Sequence, residues 1–263
     1  HRDLHSFPTR RSSDLLTYRH SGLAHVENSR TNLMTLQTRF GRDKFTHEIF
    51  DIDKLFKAAT YADYLSGLRR YGFFALASCG FCKLAMHVRT IVYCLDNAVT
   101  EAADGANVNM SHFPAQMKEV LEPLRDLYAQ FGIRYTNPVF EYDYPENLAW
   151  FDKLGLRALT GETAAVNPGK KGTTTGQLLF EQGILPAANV KGTDLDRRMQ
   201  ARCFQLTLLN LFALGSYIPK HGMEKYRLET ASFFREKLDW FRVRLEEYQR
   251  RGNDSELARW INR

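Results

Sequence analysis

Two cysteines separated by two residues, Cys79 and Cys82, form the most chemically specific pair in the chain. At a helix N-terminus such a pair would meet free backbone N–H groups and the positive end of the helix dipole. Both lower a thiol's pKa and yield a nucleophilic thiolate near neutral pH. One turn apart inside a buried helix, the same thiols would be inert apolar filler. A second set lies near the C-terminus, where Phe233, Lys237, Trp240 and Arg244 share one helical stripe and Arg251 follows two turns on. Rings in such a stripe stack on unpaired bases while cationic heads hold the phosphates. Arg198 and Arg202, four residues apart, would add charge from the preceding helix. Lys170 and Lys171 would touch phosphates from a Gly- and Thr-rich loop. The competing reading has Phe233 and Trp240 widening a buried arc, with Glu229, Glu236, Glu246 and Glu247 pairing the cations along the helix.

The stretch Cys79-Gly80-Phe81-Cys82-Lys83 is similar to the redox motif of the thioredoxin family. The resemblance implies a strand over Tyr71–Ser78 feeding a helix over Cys82–Val99. It also implies that Cys79 attacks disulfides and Cys82 resolves the mixed disulfide. It covers five residues. Ser78 stands where the family carries Trp, and no Pro precedes the apolar run Leu178–Phe180, as the family's cis-Pro would.

Other constellations fall short of their chemistry. Gly169-Lys170-Lys171-Gly172-Thr173 departs from a phosphate loop, with Ala164 in place of the first Gly and Lys171 in place of Ser or Thr. His47-Glu48 lacks the second His of a zinc-protease helix and reads with Asp51 as an acidic helix start. Cys82 and His87, five apart, would face differently on a helix, and Cys94 and Cys203 have no companion ligand nearby. No Ser/His/Asp grouping can be assembled from spacing alone. Beyond the Cys79/Cys82 alternative, no catalytic residue, metal site or cofactor is expected.

The elements that would position these groups are helical. Ile52, Leu55, Phe56 and Ala59 repeat at helical spacing from a cap at Asp51, continuing through Tyr64, Leu65 and Leu68 to Gly72. Phe73–Ala103 reads as a central buried helix. Met117, Val120, Leu121, Leu124, Leu127, Tyr128 and Phe131 mark another, which Pro123 either kinks or starts. Ile133–Tyr144 suits a short strand or extended loop, and Pro145–Leu154 a short helix. Thr193 caps a long helix over Asp194–Leu214. The final long helix spans Met223–Arg251 on Phe234, Leu238, Phe241, Leu245 and Tyr248, and Ser255 opens a short last one. The fold class is mainly α: a single globular helical domain, divisible into lobes at 51–160 and 177–263 about a flexible loop at 161–176, with at most a minor strand element. Residues 16–50 read as a poorly ordered arm.

Composition sets the outer bounds. A chain 44% hydrophobic and 25% charged buries a proper core, and no apolar run approaches the roughly 18 residues of a membrane span. Residues 1–15, read back into codons, resemble a sequencing adapter translated in frame, so they are set aside as non-native and any N-terminal targeting signal is unreadable. The formal charge of +6 is then about +5, compatible with a polyanionic partner. Four cysteines suit an intracellular setting, cytoplasm or virion. The reading that follows is a non-enzymatic, helical nucleic-acid-binding protein of the coat or nucleocapsid kind. Its partners would be single-stranded RNA and further copies of itself, not a membrane. The alternatives are a thioredoxin-like oxidoreductase and a helical protein-interaction domain.

Overall fold

The structure, a computed structural model, describes residues 13–62, 64–72, 80–143, 171–204 and 210–261. Strand β1 (Ser13–Arg19) pairs in parallel with β3 (Phe45–Asp51), in register from Ser13 opposite Phe45 to Arg19 opposite Asp51. Parallel neighbours need a crossover, and the chain between them holds the two-residue strand β2 (Leu23–Ala24) and helix α1 (Ser29–Phe40). The segment read as an arm therefore carries strands and a helix. The same pairing corrects the helix start expected at His47–Asp51, which is strand. His47 Nε2 lies 2.9 Å from Thr17 Oγ1 across the pair.

Helices α2 (Asp53–Tyr61) and α3 (Tyr64–Tyr71) follow. Asp51 accepts from the Asp53 N–H as α2 begins. Ile52, Leu55, Phe56 and Ala59 are buried, but Leu65 is exposed, so the expected stripe ends with α2. Helix α4 (Phe81–Asn97) is the buried central helix, shorter than Phe73–Ala103 because its first turn starts after Gly80 and Ala98 turns left-handed at its end. Residues 101–103 (β4) and Arg134–Thr136 (β5) form a second parallel pair. Between them α5 (Lys118–Gln130) buries the whole expected stripe and accommodates Pro123 inside the helix.

The stretch after residue 171 departs most from expectation. Thr174 caps α6 (Thr175–Glu181), and Thr193 caps α7 (Asp194–Met199). The long helix expected from Asp194 stops there, because Arg202–Cys203 (β6) pairs antiparallel with β2. A π-helical segment (Asn210–Tyr217) leads through α8 (Ile218–His221) into α9 (Met223–Arg251). Gly252 ends α9, and Ser255 Oγ accepts from Ala258 N at the start of α10 (Ala258–Ile261). The helix expected at Pro145–Leu154 and the loop over residues 161–170 lie outside the described residues.

One core joins these pieces. It runs from Ile52 through α4 and α5 to Phe234, Leu238, Phe241 and Leu245 of α9, so the two sequence lobes share a single interior. Each large apolar side chain removed from water there contributes roughly 1.5–3 kcal/mol. Helix α1 sits outside that core, with no buried residue. It is held to the α6–β6 stretch by polar bonds: Asn28 Nδ2 donates to Arg197 O and Gln200 O, Asn32 Nδ2 to Met199 O, and Arg39 Nε to Gln182 O. Among the described residues no helix is long and apolar enough to cross a membrane.

Candidate nucleic-acid interface

The aromatic and basic stripe of α9 is buried at Phe233 and Lys237, half-buried at Trp240 and Arg244, and exposed at Arg251. Phe233 is 7% exposed and meets Phe81 edge-on at 4.6 Å, and Lys237 is 8% exposed. Trp240 stacks on Trp260 of α10 at 5.4 Å and 8° between planes. The Arg244 guanidinium lies 3.5 Å over the Trp240 ring, with its Nε 3.3 Å from Glu256. Arg251 pairs with Glu247 at 2.8 Å. Phe233 is taken up by Phe81 and Trp240 by Trp260, while Arg244 and Arg251 are paired with Glu256 and Glu247. This corrects the reading of Phe233, Lys237, Trp240, Arg244 and Arg251 as one open binding surface, since only Arg251 of the five is exposed. The physical reason is that α9 packs against α4 and α5 on one side and receives α10 on the other, which widens its buried arc.

The remaining predicted cations are differently placed. Lys171, Arg198 and Arg202 are exposed and none is in an ion pair; Lys170 lies outside the described residues. Arg198 ends α7, and Arg202 opens β6 opposite Ala24. Helix α1, docked on α7 through Asn28 and Asn32, carries Arg30 and Arg39; Arg30 pairs with Glu27 at 2.8 Å, and α7 itself carries Asp194 and Asp196. The same region exposes Met34 and Phe40 of α1, Phe180 of α6 and Phe204 beside β6. Sequence reasoning missed these rings, because none lies on an amphipathic stripe. The available signal was an aromatic within two residues of a basic one, as in Arg39-Phe40 and Arg202-Cys203-Phe204.

Of the cysteine pair, Cys79 lies outside the described residues. Cys82 sits in the first turn of α4, buried, where desolvation pushes its thiol up to about 11 even though the Gly80 and Lys83 backbone amides favour the thiolate. Burial outweighs the helix terminus here. Tyr71 ends α3, so the strand expected to feed the motif does not begin there.

A polar cluster that spacing alone did not disclose ties α4 to β4, α5 and β5. Lys83 Nζ is 2.6 Å from Asp104 Oδ2, and His87 Nε2 is 3.7 Å from the same oxygen. His87 Nδ1 lies 3.0 Å from the Tyr128 hydroxyl. Asn137 Nδ2 donates to Asp104 Oδ1 and to Tyr135 OH, while Arg125 donates to Asn137 Oδ1. Burial, helped by the Lys83 charge, pushes His87 down to about 3. Burial alone would raise the Asp104 carboxyl, but Lys83 and His87 bring it to about 2. Lys83 neutralises Asp104, while His87 Nε2 is buried with no hydrogen-bond partner among the described residues. The adjoining crevice, with room of only about 10 Å³, is walled mainly by apolar groups such as Leu84, Val120, Leu124 and Leu238, which suits packing better than acid–base chemistry. Among the described residues no group of three or more His, Cys, Asp or Glu side chains could hold a metal ion. Compared with protein-family models, curated proteins and solved structures, the chain shows no significant match to any of them.

Proposed function

We propose that the protein is a non-enzymatic, helical nucleic-acid-binding protein of the coat or nucleocapsid kind, which grips the phosphates of single-stranded RNA. The contact face is built by α1, α7 and β6 in place of the C-terminal helices. The observation that supports this reading is the exposure of Arg198 and Arg202, neither in an ion pair, beside Arg39 of α1; Arg30 of the same helix is paired with Glu27 at 2.8 Å, and Arg198 lies within the field of Asp194. Exposed cations lose little on meeting phosphate, and binding releases counterions from the strand.

The test is fluorescence anisotropy of a labelled oligouridylate of about 20 nucleotides over a salt series starting at about 50 mM. The expected result is an affinity that falls steeply with salt. The double variant Arg198→Glu/Arg202→Glu should weaken binding at every salt and flatten the logarithmic slope by about 0.7 per lost phosphate contact. Signal at background at the lowest salt overturns the reading. Exposed Met34, Phe40 and Phe180 also favour contact between copies, which light scattering on nuclease-treated protein measures independently.

A further inference from the structure

We infer that the β2–β6 ribbon carries a base-stacking subsite, in which Phe204 takes the face of an unpaired base and Arg202 the adjoining phosphate. The inference rests on the nucleic-acid reading above and adds a residue, a contact type and a strandedness to it. Strand β6 is fixed by its ladder. Leu23 faces Cys203, Ala24 faces Arg202, and the Phe204 N–H donates to Gly22 O at 3.0 Å. Strand β6 ends at Cys203 and the chain turns helical at Phe204, so the sides are read from burial: Arg202 and Phe204 are exposed, while Cys203 between them is half-buried.

The ring is 64% exposed on a backbone that is hydrogen-bonded in place. Across the ribbon from Arg202 stands the methyl group of Ala24, itself exposed. A lone exposed Phe is ordinary. What selects a nucleotide over an apolar partner is the cation two residues away on the same side, in no ion pair, with Arg198 four residues before it. A ring that stacks and a guanidinium that neutralises are the two parts of single-strand recognition, and a duplex, whose bases are already stacked, can use only the second.

The experiment compares Phe204→Ala, Phe204→Tyr and wild type on three probes: a labelled oligouridylate, a duplex of equal length, and inorganic polyphosphate. Phe204→Ala should weaken the oligouridylate by about tenfold at fixed salt, with an unchanged salt slope and unchanged duplex and polyphosphate binding. Phe204→Tyr should bind like wild type. A 5-bromouridine oligonucleotide irradiated on wild type should crosslink at Phe204, read by mass spectrometry. Wild-type affinity in Phe204→Ala, with the salt-dependent binding intact, overturns the subsite and leaves the nucleic-acid reading standing. Equal losses on oligouridylate and polyphosphate also overturn it, since they would mark a phosphate contact or a disturbed fold. If wild type binds none of the probes, both readings fail together.

Discussion

The guanidinium of Arg244 lies 3.5 Å above the ring of Trp240, and Trp260 stacks on that ring at 5.4 Å. A cation, two indoles and Glu256 thus fasten the last short helix to α9. Trp260→Ala removes one indole and leaves the other exposed. It should lower stability by about 2 kcal/mol, seen as a lower urea midpoint with an unchanged slope, and it should shift tryptophan emission to the red.

Acidification should destabilise the fold. His87 is held down to about 3 and His112 to about 4, both mainly by burial, and Asp104 sits at about 2. The folded histidines refuse protons that the unfolded chain takes up below about 6.5. Their contribution is complete above that pH and falls as the pH drops towards 3 and 4. Asp104 adds a further loss from about 3.8 down to about 2. Urea midpoints measured between pH 7 and pH 3 should decline throughout, and His87→Phe should shallow the decline. A midpoint that holds steady from pH 6.5 to 4 would contradict the placement of both histidines.

Gly80 is required by two constraints at once. Its φ is +104°, and a Cβ there would stand 2.4 Å from Phe234 Cζ and 3.2 Å from Pro114 Cβ. Gly80→Ala should cost at least about 2 kcal/mol, through backbone strain and displacement of the Phe234 ring. The size of the loss is read by denaturation.

Thiol labelling separates the cysteines. In the native protein at neutral pH, Cys82 should resist iodoacetamide, because burial raises its pKa to about 11, whereas it should label freely in denaturant. Rapid native alkylation at Cys82 would revive the disulfide-exchange reading.

Helices α5 and α9 were legible because an unbroken apolar stripe runs the length of each. Phe234, Leu238, Phe241, Leu245 and Tyr248 all proved buried, and the α5 stripe likewise. Strand β6 was not legible. Two residues leave no periodicity, and Arg202 acquires its strand geometry from Ala24, far away in the sequence. The site was misjudged for a related reason. Periodicity says that Phe233 and Trp240 share a side of a helix, but not whether a second helix covers it, and α10 does. The Lys83–His87–Asp104 grouping has only the four-residue step between Lys83 and His87 as local signal; Asp104 arrives through the turn that follows β4.

The shared interior also bears on what holds the molecule together. The described residues of 52–135 and 213–258 share one core around α4, α5 and α9, while the path between them passes the exposed positions Lys191, Gly192 and Thr193. Continuity of the main chain there is dispensable for cohesion: a single cut at Lys191 would leave two polypeptides travelling as one particle, parted only by denaturant.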